Sequence, residues 1–286
     1  MTTGQTIEFQ APPKDHYSHS AFSAAALCGK KYEYKYIVGA QGPSNSSLVF
    51  GSVIHDALEF AAKEQMKTGT RPRTQIITEF AVGGLSIEIA RAQERTGMPI
   101  EWKKVHKTAL VDTLESLKKD CVNTIATYEM QEGHKLQPML VEQQFSVVLP
   151  GVDVPIEGYI DLVNKPGRVI DYKTSAKKLQ EASAIMSEQL TIYQIALDDD
   201  GIPVDSLELH GIIRKVGGAD VQVLTVPRRT EEQKQEYIKN AVEAAKLIQA
   251  RIFPKVNNGM ICSWCDFKKQ CHPDWYPVTA AQEEAA

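Results

Sequence analysis

Two aspartates and a lysine stand close together mid-chain, in Gly158-Tyr159-Ile160-Asp161 and in Asp171-Tyr172-Lys173. Two carboxylates gathered at one point suit a hard divalent cation such as Mg²⁺ or Mn²⁺, which takes oxygen ligands. An ammonium beside them suits the stabilisation of negative charge on an attacking water or a scissile phosphate. Asn164-Lys165-Pro166-Gly167 between the two motifs is a turn signal, and apolar runs flank it from Val152 to Val163 and from Arg168 to Tyr172. The pattern predicts a β-hairpin with one acid near the end of its first strand and another in its second. Side chains alternate along a strand, so Asp171 and Lys173 share a face.

The five cysteines form a second constellation. An odd count argues against a disulfide framework. Cys262-x2-Cys265-x5-Cys271 has metal-ligand spacing, because a short turn aims both thiolates of a C-x2-C at one centre. The fourth ligand is Cys28 or His272, with Cys121 a weaker candidate inside a helix. His272 would suit zinc, although it adjoins Cys271. Cys28 would give four thiolates, suited to zinc or an iron–sulfur cluster, and would tie together distant parts of the chain.

These groups must be positioned by the rest of the chain. Residues 1–16 read as a mobile arm, followed by a short helix from Ser18 or Ser20 through Tyr36. Helices are predicted over Ser47–Thr68, Thr74–Thr96 and Glu101–Glu132, with breaks near Gly83-Gly84 and Gly97-Met98-Pro99. Strands follow over Met139–Leu149, Val152–Val163 and Arg168–Lys173, then a helix over Ala182–Leu197. Two more strands span Ser206–Lys215 and Ala219–Pro227. A last helix starts at Thr230, with Glu231 and Glu232 placed well against its dipole, and runs to Arg251. The tail, Ala280–Ala286, reads as disordered. No repeat or low-complexity linker divides the chain. The expectation is one domain over 1–286, with a helical insertion at 56–135 and a cysteine loop at 253–276 closing on Cys28.

Composition sets outer bounds. The 286 residues are 43% hydrophobic and 24% charged, as in a globular protein. No apolar run approaches the roughly 18 residues of a membrane span, and the polar start lacks a signal core, so a cytoplasmic location is expected. The net charge of −4 does not advertise a nucleic-acid binder. Acids at a metal site contribute to that balance, however, and a bound cation reverses the local field.

Taken together, the motifs resemble the RecB-like branch of the PD-(D/E)XK nucleases, in particular its iron–sulfur members. These include the AddB nuclease domain, CRISPR-associated RecB-like exonucleases and related phage exonucleases. The resemblance covers most of the chain. Cys28 lies in a segment, Ser20-Ala21-Phe22 through Cys28-Gly29-Lys30-Lys31-Tyr32, similar to the family's N-terminal cysteine motif. Gly51-Ser52-Val53-Ile54-His55 is similar to its helix-borne histidine motif. Asp161, Asp171 and Lys173 match its two metal acids and catalytic lysine, and Gln189-x3-Tyr193 matches its Gln/Tyr motif. Cys262, Cys265 and Cys271 match its cysteine triplet. Two departures stand out: Ile160 replaces the Pro of the family's name, and Asp171 takes the place of Glu.

The resemblance implies a mixed α/β fold. Its core would be restriction-endonuclease-like, a central mixed β-sheet flanked by helices, with an N-terminal helical insertion. It implies a metal-dependent DNA exonuclease, with endonuclease side activity admitted, acting on single strands or duplex ends in recombination, repair, or phage or CRISPR DNA processing. Asp161, Asp171, the carbonyl of Tyr172 and His55 would hold Mg²⁺ or Mn²⁺, the histidine favouring Mn²⁺. Lys173 would orient the water, and Gln189 and Tyr193 would line the channel or support Lys173. Glu142 is either an outer-shell acid or a surface acid. Cys28, Cys262, Cys265 and Cys271 would hold a structural 4Fe–4S cluster, with Zn²⁺ as the alternative. Trp264, Phe267, Trp275 and Tyr276 are read first as packing for that loop, with base stacking as the alternative. A recombinase, a helicase or a CRISPR adaptation protein would be a fitting partner, and self-association is compatible. The rival readings are a non-catalytic DNA-binding or assembly factor on the same fold, and a zinc-stabilised nuclease.

Overall fold

The computed structural model describes residues 15–104, 111–215 and 217–275. Most of the predicted arm, Tyr276 and the tail at 280–286 lie outside them. The chain forms two compact units.

The larger unit, residues 43–147 with 158–235, holds the sheet. Before it come α1 (His19–Leu27), α2 (Gly29–Tyr32) and a π-helical turn (Glu33–Ile37). The unit begins with three long helices, α3 (Ser46–Thr68), α4 (Thr74–Thr96) and α5 (Leu114–Gln131). Next come β1 (Pro138–Val147), β2 (Ile156–Asn164) and β3 (Arg168–Ser175), then α6 (Glu181–Ile185) and α7 (Glu188–Asp199), then β4 (Ser206–Lys215) and β5 (Gly218–Pro227). The strands run side by side in the order β1-β2-β3-β4-β5. β2 and β3 are the antiparallel hairpin expected from the sequence. β3 and β4 are parallel, as the α6–α7 crossover requires, and β4 and β5 are antiparallel. The mixed sheet flanked by helices is the predicted fold class.

The core of this unit lies between the helices and one sheet face. Val53, Ile54, Leu58, Ile77, Leu85, Leu117 and Ile125 pack with Leu162, Ile170, Tyr172 and Ile212. Burial of this kind explains why α4 runs unbroken through Gly83-Gly84, against expectation. Two glycines cost about 1 kcal/mol each relative to alanine, whereas each fully buried aliphatic side chain contributes about 1.5–3 kcal/mol. Helix α5 starts at Leu114, not Glu101. Thr113 caps it through a reciprocal bond with Ser116, while the backbone of Glu101 is engaged by Ser44 and Ser46. Residues 105–110 of that predicted helix lie outside the described residues. The predicted 182–197 helix divides at Met186, because the Ser187 side chain caps a new start at α7.

The smaller unit comprises residues 1–42, 148–157 and 236–286. It contains most of α8 (Glu231–Gln249), with α9 (Gly259–Ser263) and α10 (Lys268–Cys271). The helix predicted through Tyr36 is interrupted at Cys28, whose backbone is extended (φ −167°). Gly29 then fits against the 253–254 backbone, where a Cβ would meet Pro254 N at 2.5 Å. Tyr32 stacks on Phe253, and Tyr34 packs on the buried Phe267.

Candidate active site

The hairpin ladder pairs Leu162 with Ile170, Val163 with Val169 and Asn164 with Arg168. Asp161 is the next residue beyond the paired stretch. Its Oδ2 accepts a 2.8 Å hydrogen bond from the backbone N–H of Tyr172. Ile170 and Tyr172 point into the helical core, so alternation sends Asp171 and Lys173 to the opposite face. There the Lys173 ammonium lies 2.8 Å from Asp171 Oδ2 and donates to Gln189 Oε1, also at 2.8 Å. Gln189 Nε2 donates to Tyr193 Oη at 2.6 Å, one helical turn along α7. The Tyr193 ring stands edge-on to Phe145 of β1. Asp161, Asp171, Lys173, Gln189 and Tyr193 thus form one connected group.

His55 approaches from α3. A Cβ on Gly51 would meet Thr174 Oγ1 at 2.8 Å, so glycine there lets α3 close on β3. One turn later His55 Nδ1 lies 3.7 Å from Asp161 Oδ2, and its ring meets the edge of Tyr172 at 5.9 Å. Burial lowers the histidine pKa, with the Asp171 charge opposing. The neutral imidazole this favours is the form able to bind a metal.

Both aspartates carry raised pKa values. Burial is the main cause for each, with the Tyr172 N–H and the Lys173 charge opposing it at Asp161, and the Lys173 charge opposing it at Asp171. Burial likewise raises the Tyr193 phenol, helped by the charges of Asp171 and Asp161. Glu142 on β1 belongs to the same acidic neighbourhood. Its carboxyl is pushed up to about 7 by burial and then by Asp161 and Glu59. Its backbone is left-handed (φ +47°) in a strand, a conformation that costs a non-glycine residue energy.

The donor chemistry of these side chains suits a cation. Asp171 is 1% exposed, and its Oδ2 lacks an aligned hydrogen-bond donor despite the nearby ammonium. Buried carboxylate charge left so sparsely satisfied suits a hard cation. Among the described residues, no three His, Cys, Asp or Glu side chains converge closely enough to hold an ion as they stand.

In the smaller unit, Cys28, Cys262, Cys265, Cys271 and His272 line one cavity of about 320 Å³. Burial raises the Cys271 thiol, with Lys255 opposing and the other three thiols adding to the rise. Cys262 Sγ is 3.7 Å from His272 Nε2. Cys121 does not line this cavity. It is buried in α5, and its thiol is pushed up to about 12 by desolvation.

Sequence reasoning missed the polar layer beside β3. His210 faces Tyr172 across the β3–β4 register. Its Nδ1 is 2.9 Å from Tyr128 Oη and its Nε2 is 3.0 Å from Glu208 Oε2. All three side chains are buried. The Glu208-x-His210 spacing on one strand was the available signal, but it is indistinguishable from surface alternation until burial is known. Arg229 was also missed. Its buried guanidinium donates to Ala184 O at 2.8 Å and to Thr191 Oγ1 at 3.2 Å, fastening the α6–α7 junction just ahead of Gln189.

Residues 16–272 match the family model of the PD-(D/E)XK nuclease superfamily. The crystal structure of a proposed exonuclease from Eubacterium rectale is similar over 100% of this chain and 99% of its own, with a TM-score of 0.59 and 14% identity. The structure of SSO0001 is 16% identical over 51% of this chain and 64% of its own, with a TM-score of 0.35. No curated protein matches the chain.

Proposed function

The chain belongs to the PD-(D/E)XK nuclease superfamily, and from that premise we propose that it is a DNA exonuclease working through Asp161, Asp171 and Lys173. The superfamily generally uses Mg²⁺ or Mn²⁺. The observation that carries the reading is the single connected group of the buried Asp171, the largely buried Asp161, a lysine ammonium and the Gln189–Tyr193 pair.

Asp161, Asp171 and His55 would hold the cation, with the carbonyl of Tyr172 as a further oxygen donor. When bound, the cation supplies an activated water and neutralises charge on the phosphate. Lys173, held by Gln189, places its ammonium where negative charge develops during attack on phosphorus. Tyr193 fixes Gln189. Glu142, with its raised carboxyl, would accept a proton from water near the acids. The test is end-labelled single- and double-stranded DNA with Mg²⁺, Mn²⁺ or EDTA, resolved on a gel. Ladders or mononucleotides that vanish in EDTA support the reading, whereas cleavage unaffected by EDTA or by Asp171→Ala overturns it.

The four cysteines would hold an iron–sulfur cluster. Their shared cavity supports this, as does an all-thiolate donor set. A single zinc ion on the same thiolates is the alternative. Iron and sulfide analysis of anaerobically purified protein, set against zinc content, decides between them.

A further inference from the structure

We infer that the face carrying Trp264, Trp275 and Met260 is a platform for single-stranded nucleic acid, a surface that deepens the nuclease reading and rests on it. Trp264 is 85% exposed, Met260 78% and Trp275 67%. The buried packing of the cysteine loop centres on a different aromatic ring. Phe267 is 2% exposed and fills that role with Tyr34. Trp275 stacks flat on His272, with centroids 4.6 Å apart and planes 8° apart. One indole face is thereby braced, leaving the ring presented to solvent.

Charge identifies the occupant. The segments 27–38 and 253–275 hold Lys30, Lys31, Lys35, Lys255, Lys268 and Lys269 against Glu33, Asp266 and Asp274. That is six bases to three acids, a surplus of three in a chain of net charge −4, so the remainder carries −7. Lys30, Lys31 and Lys268 line the same cavity as Met260 and Trp264. Lys255 and Lys268 also shape the loop, donating to Cys271 O at 2.7 Å and Ser263 O at 2.9 Å. Protein–protein interface cores are depleted in lysine. Surfaces that hold unpaired strands combine cationic groups with aromatic faces on which bases stack. Only an unpaired strand offers its base faces for such stacking.

The experiment uses the full chain in EDTA, so that no cleavage intervenes, and a fluorophore-labelled oligothymidylate followed by anisotropy. Trp264→Ala, with the thermal midpoint unchanged, and Trp275→Ala should each weaken binding about 5- to 150-fold, the equivalent of one lost base stack. A double variant that binds as tightly as the wild type overturns the platform. So does a wild type that ignores the oligonucleotide but self-associates through this face, which would make it a protein interface. If the wild type binds in a tryptophan-dependent way yet cleaves nothing with Mg²⁺ or Mn²⁺, the platform stands and the nuclease reading falls.

Discussion

Gln189 of α7 holds Lys173 of β3: its Oε1 accepts the ammonium's hydrogen bond at 2.8 Å, while Asp171 Oδ2 lies at the same distance from that nitrogen. The ammonium is therefore suspended between a neutral amide on α7 and a buried carboxylate on its own strand. Without Gln189 the ammonium would keep only Asp171 of these two partners and would compete more strongly for the oxygen that suits a cation. Gln189→Ala should lower the cleavage rate about 10- to 100-fold, as loss of a supporting partner does, and should raise the Mn²⁺ concentration needed for half-maximal rate. Lys173→Ala should cost about 10²- to 10³-fold, the usual loss for one transition-state donor. Single-turnover rates on a labelled strand across a Mn²⁺ titration check both.

The buried acids make the metal-free protein pH-sensitive. The folded-state pKa values of Asp161 and Asp171 are raised, towards about 6, chiefly by burial. The folded state thus holds protons that the unfolded chain releases near the ordinary aspartate value of about 3.9. The stability linked to that difference is fully present below the unfolded value and is lost as pH rises through about 6. In EDTA, Asp171→Asn should raise stability near pH 7 by about 1–3 kcal/mol while abolishing cleavage. Added Mn²⁺ should raise the wild-type melting temperature more at pH 7.5 than at pH 5. Thermal melts at both pH values, with and without metal, decide it. A destabilised Asp171→Asn variant would contradict the electrostatic account.

The buried Tyr128–His210–Glu208 chain predicts a stability effect apart from the chemistry. Tyr128→Phe removes the hydroxyl 2.9 Å from His210 Nδ1 and leaves that nitrogen unsatisfied in the core. A buried polar group left without its partner costs about 1–3 kcal/mol. Urea unfolding of the variant should show that loss. An unchanged midpoint would mean that the imidazole finds another partner.

What the sequence made legible follows from the range of the interactions involved. The hairpin and the shared face of Asp171 and Lys173 rest on period-2 alternation and a turn signal, which are local. The link from Gln189 to Lys173 was readable only through resemblance, since 16 residues and a helix crossover separate them. Helix α4 defied its glycine pair because Ile77, Ala81 and Leu85 are buried, a tertiary fact that no local propensity contains. His210 and Glu208 look like ordinary alternating polar residues, and Arg229 like one of a surface basic pair, until β4 and α7 are placed around them. Trp264 and Phe267 are three residues apart, yet one is exposed and the other buried, a distinction set by where Tyr34 arrives.

Gly51 offers the most direct test of how the helix positions the site. A Cβ there would meet Thr174 Oγ1 at 2.8 Å, and Thr174 follows Lys173 directly. Alanine is the better helix former by about 1 kcal/mol, so propensity alone predicts that Gly51→Ala is stabilising and harmless. The geometry predicts the opposite for function. The added methyl would push α3 from β3 and carry His55 away from Asp161, so cleavage should fall and the Mn²⁺ requirement rise. Thr174→Ala deletes the hydroxyl that the methyl strikes, so Gly51→Ala with Thr174→Ala should recover most of the lost rate. The readout is a double-mutant cycle in rate and in Mn²⁺ half-saturation. Additive losses with no recovery would show that close approach of the helix to the strand is not what sets the position of His55.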